Sequence, residues 1–258
     1  MQPLRIQAVA VPEPPRIVAS NDGLLRIAAI GDVHATIASK GQWREPFAEI
    51  SHAADVLCLC GDLTNLGTRL EAESLAEDLR ACAIPVMAVL GNHDYHSGQP
   101  DEVERVLHDA GVKFLEDEVH VVKGVGFAGV KGFCGGFDGR MLGAFGEPAI
   151  KAFVQEALDQ ALRLEHALHS LETDRTVVLL HYSPITETLS GEAESIYPFL
   201  GSSRLAETID RFDEVRAVFH GHAHHGIYQG RTRKGIPVYN VAVPVPKPDG
   251  KAYALIEL

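Results

Sequence analysis

The chain has 258 residues, 46% of them hydrophobic, and its 35 acidic and 23 basic side chains leave a net charge of −12. That length supports a large core in a single domain over 24–258, behind an extended leader over 1–23 that contains Pro12, Pro14 and Pro15. The acidic balance argues against nucleic acid as a partner. No apolar stretch approaches the roughly 20 residues of a membrane span, and no secretory signal opens the chain, so the expected compartment is the cytoplasm.

Apolar runs rich in Val, Ile and Leu recur at 25–30, 55–60, 86–90, 125–130, 176–180, 215–219, 238–243 and 253–258. Their continuity predicts strands buried on both faces. Helical periodicity falls between several of them. It runs over 68–81 (Leu70, Leu75, Leu79), 100–110 (Val103, Val106, Leu107), 148–172 (Phe153 to Leu171) and 202–212, where Ser202 is a candidate cap. Alternating strand and helix in the first half favours α/β, and the closely spaced strands of the second half favour an antiparallel or mixed sheet. Cys58 and Cys60 alternate with Leu57 and Leu59, which predicts buried packing rather than a thiolate site. The stretch 124–146 holds nine glycines and admits two readings, close approach to a ligand or a loose surface connection.

Five polar clusters follow apolar runs: Asp32-x-His34, Gly61-Asp62, Gly91-Asn92-His93-Asp94, His181, and Gly221-His222-x-His224. Ligands of open α/β sheets bind at the C-terminal ends of strands, so a sheet brings these distant residues together. They offer Asp32, His34, Asp62, Asn92, His181, His222 and His224 as metal ligands, enough for two divalent cations, with His93 left over. Mixed N/O donors suit Mn, Fe, Co, Ni or Zn better than Ca or Mg. Asp62, in the middle of the set, is the candidate bridge. Two adjacent cations are a device for attacking phosphorus, and they dominate their local field whatever the net charge. The expectation is a hydrolase of small-molecule phosphate esters.

The same blocks make the chain resemble the calcineurin-like metallophosphoesterase superfamily over about residues 25 to 243. The resemblance implies a four-layer α/β/β/α sandwich of two mixed sheets flanked by helices. It implies that Asp32, His34, Asp62 and His224 hold one metal and Asp62, Asn92, His181 and His222 the other. His93 would stay off the metals and serve the leaving group as acid, after attack by a metal-activated hydroxide. Gly61-Asp62-Leu63-Thr64-Asn65 is similar to the cyclic-nucleotide and glycerophosphodiester phosphodiesterase branch. Tyr182, where a second His often follows in that branch, departs from it. A phosphodiester is therefore the leading substrate, with a phosphomonoesterase or nucleotide pyrophosphatase as the alternative. A non-catalytic scaffold and a nuclease stand further back.

Lesser candidates are Asp94, His220 and His225 as structural or supporting residues, His96 as a solvated loop residue, and Arg140 and Tyr197 as possible borders of the cleft. Trp43 is left open between packing and substrate contact.

Overall fold

The computed structural model describes residues 17–18, 23–116 and 118–258. Apart from Ile17, Val18 and Gly23, the extended leader expected over 1–23 lies outside the described residues. In chain order the first elements are β1 (Ile17–Val18), β2 (Arg26–Ile30), α1 (Arg44–Ala53), β3 (Val56–Cys60), α2 (Arg69–Leu79), β4 (Val86–Val89) and α3 (Pro100–Asp109). Next come β5 (Val112–Phe114), β6 (His120–Val122), β7 (Val125–Val130), α4 (Pro148–His169), β8 (Leu171–Glu172) and β9 (Thr176–Leu180). The last are α5 (Tyr197–Leu200), α6 (Ser203–Ile209), β10 (Val215–His220), β11 (Gln229–Arg231), β12 (Pro237–Asn240) and β13 (Ala254–Glu257).

Two sheets form. The first has the order β13-β2-β3-β4-β5, and the second β11-β12-β10-β9-β7-β6. In the first, β2 to β5 run parallel and β13 closes one edge antiparallel. In the second, β12, β10, β9 and β7 run parallel, while β11 and β6 are antiparallel edges. Both sheets are thus mixed, and the closely spaced strands of the second half divide between them. Among the described residues, no helix is long and apolar enough to cross a membrane.

Strand alternation explains the four layers. Cys58 and Cys60 of β3, with Ile27, Met87 and Val89, face inward onto Phe127, Val177, Leu179 and Phe219 of the second sheet. Leu57 and Leu59 face outward and bury against Phe47, Ile50, Leu75, Val103 and Leu107 of the helices α1 to α3. On the far side Ala128, Val130, Val178, Leu180 and Val218 pack on Leu164, Leu168, Leu205 and Ile209 of α4 and α6. All four cysteines are free, and those at 58 and 60 are packing residues as expected.

Local signals set several helix starts. Thr68 and Glu71 form a reciprocal capping box on α2, α3 and α4 open with proline, and the Ser202 hydroxyl accepts from the Arg204 N–H. The helix expected over 148–172 stops at His169, because Leu171 and Glu172 pair with Ile17 and Val18. Trp43 is buried beside Phe47, with ring centroids 6.1 Å apart, which settles it as packing.

Candidate metal and phosphate site

Three of the polar clusters follow the C-terminal ends of the adjacent parallel strands β2, β3 and β4 of the first sheet, and two follow the neighbouring β9 and β10 of the second. Asp32 and His34 follow β2, Asp62 follows β3, Asn92 and His93 follow β4, and His181 follows β9. His222 and His224 follow β10 in the same way. The two sheets are stacked, so these ends converge on one edge of the sandwich.

The donors fall into two groups joined by Asp62. Donor atoms of Asp32, His34 and His224 lie within 4.8 Å of one another, as do those of Asp62, His181 and His222, and those of His34, Asp62 and His93. His224 Nε2 stands 2.8 Å from Asp32 Oδ1. His34 Nε2 is 3.7 Å from one oxygen of Asp62, and His181 Nε2 is 3.4 Å from the other. Asn92 Oδ1 lies 2.9 Å from His181 Nε2. All seven sequence-predicted ligands, and His93 with them, are therefore in one place.

Glycine makes room for the two carboxylates. A Cβ on Gly91 would overlap the amide and carboxylate of Asp62, and one on Gly221 would overlap the carboxylate of Asp32. Four of the candidate ligands are held in an uncommon backbone conformation. Asp32, His34, Asp62 and His222 have φ of 59°, 45°, 48° and 70°. This left-handed region costs an ordinary L-residue about 1–2 kcal/mol, although Asp and His tolerate it better than most.

Burial and neighbouring groups lower Asp32, His34 and His222 and raise His224. Burial pushes the Asp32 carboxyl up, but the hydrogen bond with His224 and the nearby charge of His181 outweigh it and leave it below its ordinary value. Burial, reinforced by His181, drives His222 down to about 4, and burial also lowers His34. His224 moves the other way, raised by its hydrogen bond to Asp32. Neutral imidazole is the form that ligates metal.

The residues present fit a metal centre. Both ring nitrogens of His34 are shielded from solvent and neither has a hydrogen-bond partner. A buried polar atom in that condition costs about 1–3 kcal/mol unless something completes it. A cation beside Asp32, Asp62 and His224 would complete one of the two ring nitrogens.

Other residues surround this set. Asp94 is fully buried and makes no hydrogen bond with the His93 ring, whose Nδ1 meets the Asn65 carbonyl instead. It accepts from the N–H groups of Leu63, Thr64 and Gly91 and from the Thr64 hydroxyl, tying the loop after β3 to the loop after β4. His220 is fully buried, with Nδ1 on the Gly221 carbonyl at 2.8 Å and Nε2 on the Thr188 hydroxyl at 2.9 Å, a supporting position. His225 and His96 are exposed.

A family model for calcineurin-like phosphoesterases matches residues 25–226. The chain belongs to this family. A curated protein of a Synechococcus strain, described as a probable cyclic nucleotide phosphodiesterase, is 26% identical over 218 residues, covering 80% of this chain and 76% of that one. Among solved structures, the phosphopantetheinyl hydrolase of Mycobacterium tuberculosis superposes with a TM-score of 0.63 at 17% identity, over 89% of this chain and 95% of the other. GAP50, the anchor in the inner membrane complex of Plasmodium, does so with a TM-score of 0.57 at 13% identity, over 91% and 81%. At such identities the two structures speak for the fold alone. As a calcineurin-like phosphoesterase the chain is a hydrolase of phosphate esters.

Several contacts of this phosphoesterase were not legible in its sequence. The Asn65 carbonyl accepts from His93 Nδ1 at 2.7 Å, and the Phe199 carbonyl stands 3.2 Å from His222 Nε2. Both are backbone contacts, which leave no side-chain signature. Tyr182, the departure from the branch pattern, packs its ring 4.5 Å from that of His222. Lys247 is buried near Asp32 with its ammonium on the Ala242 carbonyl, and burial lowers it to about 8. A lone lysine in an apolar, proline-rich stretch was the available signal.

Proposed function

We propose that this phosphoesterase hydrolyses a small-molecule phosphodiester in the cytoplasm with the help of two divalent cations. The observation that carries the reading is the sharing of Asp62 between two donor groups, one with His34 and His93 and the other with His181 and His222. In this reading Asp32, His34, Asp62 and His224 hold one cation, and Asp62, Asn92, His181 and His222 hold the second. When bound, two such cations neutralise charge on the phosphoryl oxygens and lower the pKa of an attacking water.

The protein's own part falls largely to His93. Its Nδ1 donates to the Asn65 carbonyl at 2.7 Å, and its backbone N–H donates to Asp62 Oδ1 at 2.8 Å. The ring is thereby oriented with Nδ1 donating to that carbonyl, and in its doubly protonated form it would give the Nε2 proton to the departing alkoxide, returning to the neutral Nδ1–H imidazole. A positioned acid of this kind contributes about 10²–10⁴ in rate. Asp94 contributes indirectly, because it fastens together the two loops that present Asp62 and His93. The full ligand set argues for catalysis over a scaffold role, and the description of the Synechococcus relative supports a diester over a monoester.

The test is hydrolysis of bis-p-nitrophenyl phosphate against p-nitrophenyl phosphate by chelator-stripped protein, with Mn, Fe, Zn, Ni and Mg returned singly. Metal-restored cleavage favouring the diester is expected. A preference for the monoester would hand the site to the phosphomonoesterase reading. No cleavage at a metal content of two per chain would remove the reading altogether.

A further inference from the structure

Beside the convergent ligands lies a second feature that the metal reading does not use. The loop at 137–140 and the segment at 194–198 enclose a cleft of about 530 Å³, lined by Phe137, Arg140, Thr186, Glu194, Tyr197 and Pro198. We propose that this cleft is the specificity site of the enzyme and that it holds a flat aromatic, hydrogen-bonding organic group of the ester, of the kind a nucleoside carries. The inference deepens the phosphodiesterase reading and rests on it.

Three observations carry it. The first is position. Phe137 and Tyr197 belong to one apolar cluster with Leu189, Leu200 and Ala223, and Ala223 is the residue between His222 and His224. Phe199, whose carbonyl meets His222, follows Tyr197 and Pro198 directly. The cleft wall therefore packs against the residue that separates two of the candidate metal ligands.

The second is rigidity. The Gly135 N–H donates to the Pro198 carbonyl at 2.8 Å, the Gly136 N–H to the Gly201 carbonyl at 3.0 Å, and the Ser203 N–H to the Gly136 carbonyl at 3.2 Å. Gly136 has a φ of 95°, and a Cβ there would overlap the Arg140 carbonyl. The glycine-rich stretch is thus a loose surface connection only over 142–146, where every residue is exposed. Its first part is strand β7, and its second part is stitched to the opposite wall, so the cleft exists before a ligand arrives. Preformed sites lose less free energy to ordering on binding.

The third is chemistry. Tyr197 and Pro198 offer flat apolar surface. The exposed guanidinium of Arg140 has no hydrogen-bond or salt-bridge partner among the described residues, which frees it to stack on a ring or reach an anionic oxygen. Glu194 and the Thr186 hydroxyl can accept from amino or hydroxyl groups. A glycerol headgroup would gain little from the apolar wall, whereas an aromatic ring with polar edges matches every surface present.

The test separates this inference from the hydrolase reading by using a probe without phosphate. Adenosine is titrated into the protein as isolated and followed by ligand-observed NMR, beside Tyr197→Ala and Arg140→Ala. Saturable binding is expected, weakened about tenfold by Tyr197→Ala through loss of stacking and less by Arg140→Ala. In parallel, kcat/KM is measured for adenosine 3′,5′-cyclic monophosphate and for glycerophosphocholine. The variants should lose rate on the nucleotide and keep it on the glycerol ester, with metal content unchanged. Arg140 is exposed, so that variant tests the cleft even if Tyr197→Ala folds poorly. No saturable adenosine binding to the wild type, or binding unaltered by either substitution, would overturn the inference. Intact adenosine binding without hydrolysis of either ester would instead count against the phosphodiesterase reading alone.

Discussion

Substituting Asp94 should damage the protein far more than substituting an ordinary loop carboxylate. The side chain is fully buried and accepts four hydrogen bonds, from Leu63 N at 3.1 Å, Thr64 N at 2.8 Å, the Thr64 hydroxyl at 2.6 Å and Gly91 N at 2.8 Å. Asp94→Ala strands three backbone N–H groups and a hydroxyl away from solvent. Each stranded group costs about 1–3 kcal/mol. Water entering the vacated space recovers part of this, so the lower end applies, and the expected loss is about 4 kcal/mol. For a chain of this size that corresponds to a melting point lower by roughly 8–16 °C. Asp94→Asn keeps the oxygen that accepts from Thr64, but turns an amide NH₂ toward the N–H groups of Leu63 and Gly91, so about half the loss is expected. The assay is urea unfolding followed by circular dichroism at pH 7.5 with chelator present, which removes metal linkage from the comparison. A loss under about 1 kcal/mol for the alanine variant, or an asparagine variant equal to wild type, would refute the clamp.

Other outcomes follow from the same geometry. His93→Gln should lower kcat/KM by about 10²–10⁴ with metal content unchanged by elemental analysis, and a variant of equal activity would end the acid assignment. Asp62→Asn should lose metal and rate together, since one side chain serves both donor groups; two metals per chain at full rate would contradict the shared-ligand reading. Burial holds the Glu116 carboxyl up to about 8 against an ordinary 4.5. The folded chain therefore binds this proton more tightly than the unfolded chain. Its contribution to stability is full below about 4.5 and is lost as pH rises through about 8. Glu116→Gln keeps an acceptor for the Leu90 N–H, now 2.9 Å away, and removes the charge. The residue as a whole is only half-buried, so a gain of about 2 kcal/mol at pH 8 is expected, shrinking toward pH 5, and melts at the two pH values should show the gap. An equal gap at both would refute it.

The strands that deliver the site were legible because each is a run of apolar residues buried on both faces, and such runs survive any tertiary context. Asp32, Asp62, Asn92, His181 and His222 were legible because each follows one of those runs within a few residues. The edge strands β5, β6 and β11 are three residues each and too short to show a period. Helix α1 went unread because only Phe47 and Ile50 of its ten residues are buried, which is too few to mark a stripe. The end of α4 was overrun because Leu171 continues the helical spacing while its backbone pairs with the distant Ile17. The orientation of His93 by Asn65 and the tether of His222 by Phe199 lay beyond reach for a different reason: a carbonyl group is the same in every residue.

The left-handed backbones of Asp32, His34, Asp62 and His222 bear on how this protein can be improved. A glycine at Asp32 or Asp62 would relax the chain locally but strand the N–H of His222 or His93, and at His222 it would lose the contact with the Phe199 carbonyl. At His34 it would relax the chain and remove two unpartnered ring nitrogens, together with a candidate ligand. A screen that rewards heat resistance alone should therefore enrich substitutions at position 34 and yield sturdier but inert variants. Engineering campaigns on this chain need an activity gate from the first round, and thermostable sequences that have lost His34 are best read as products of that trade.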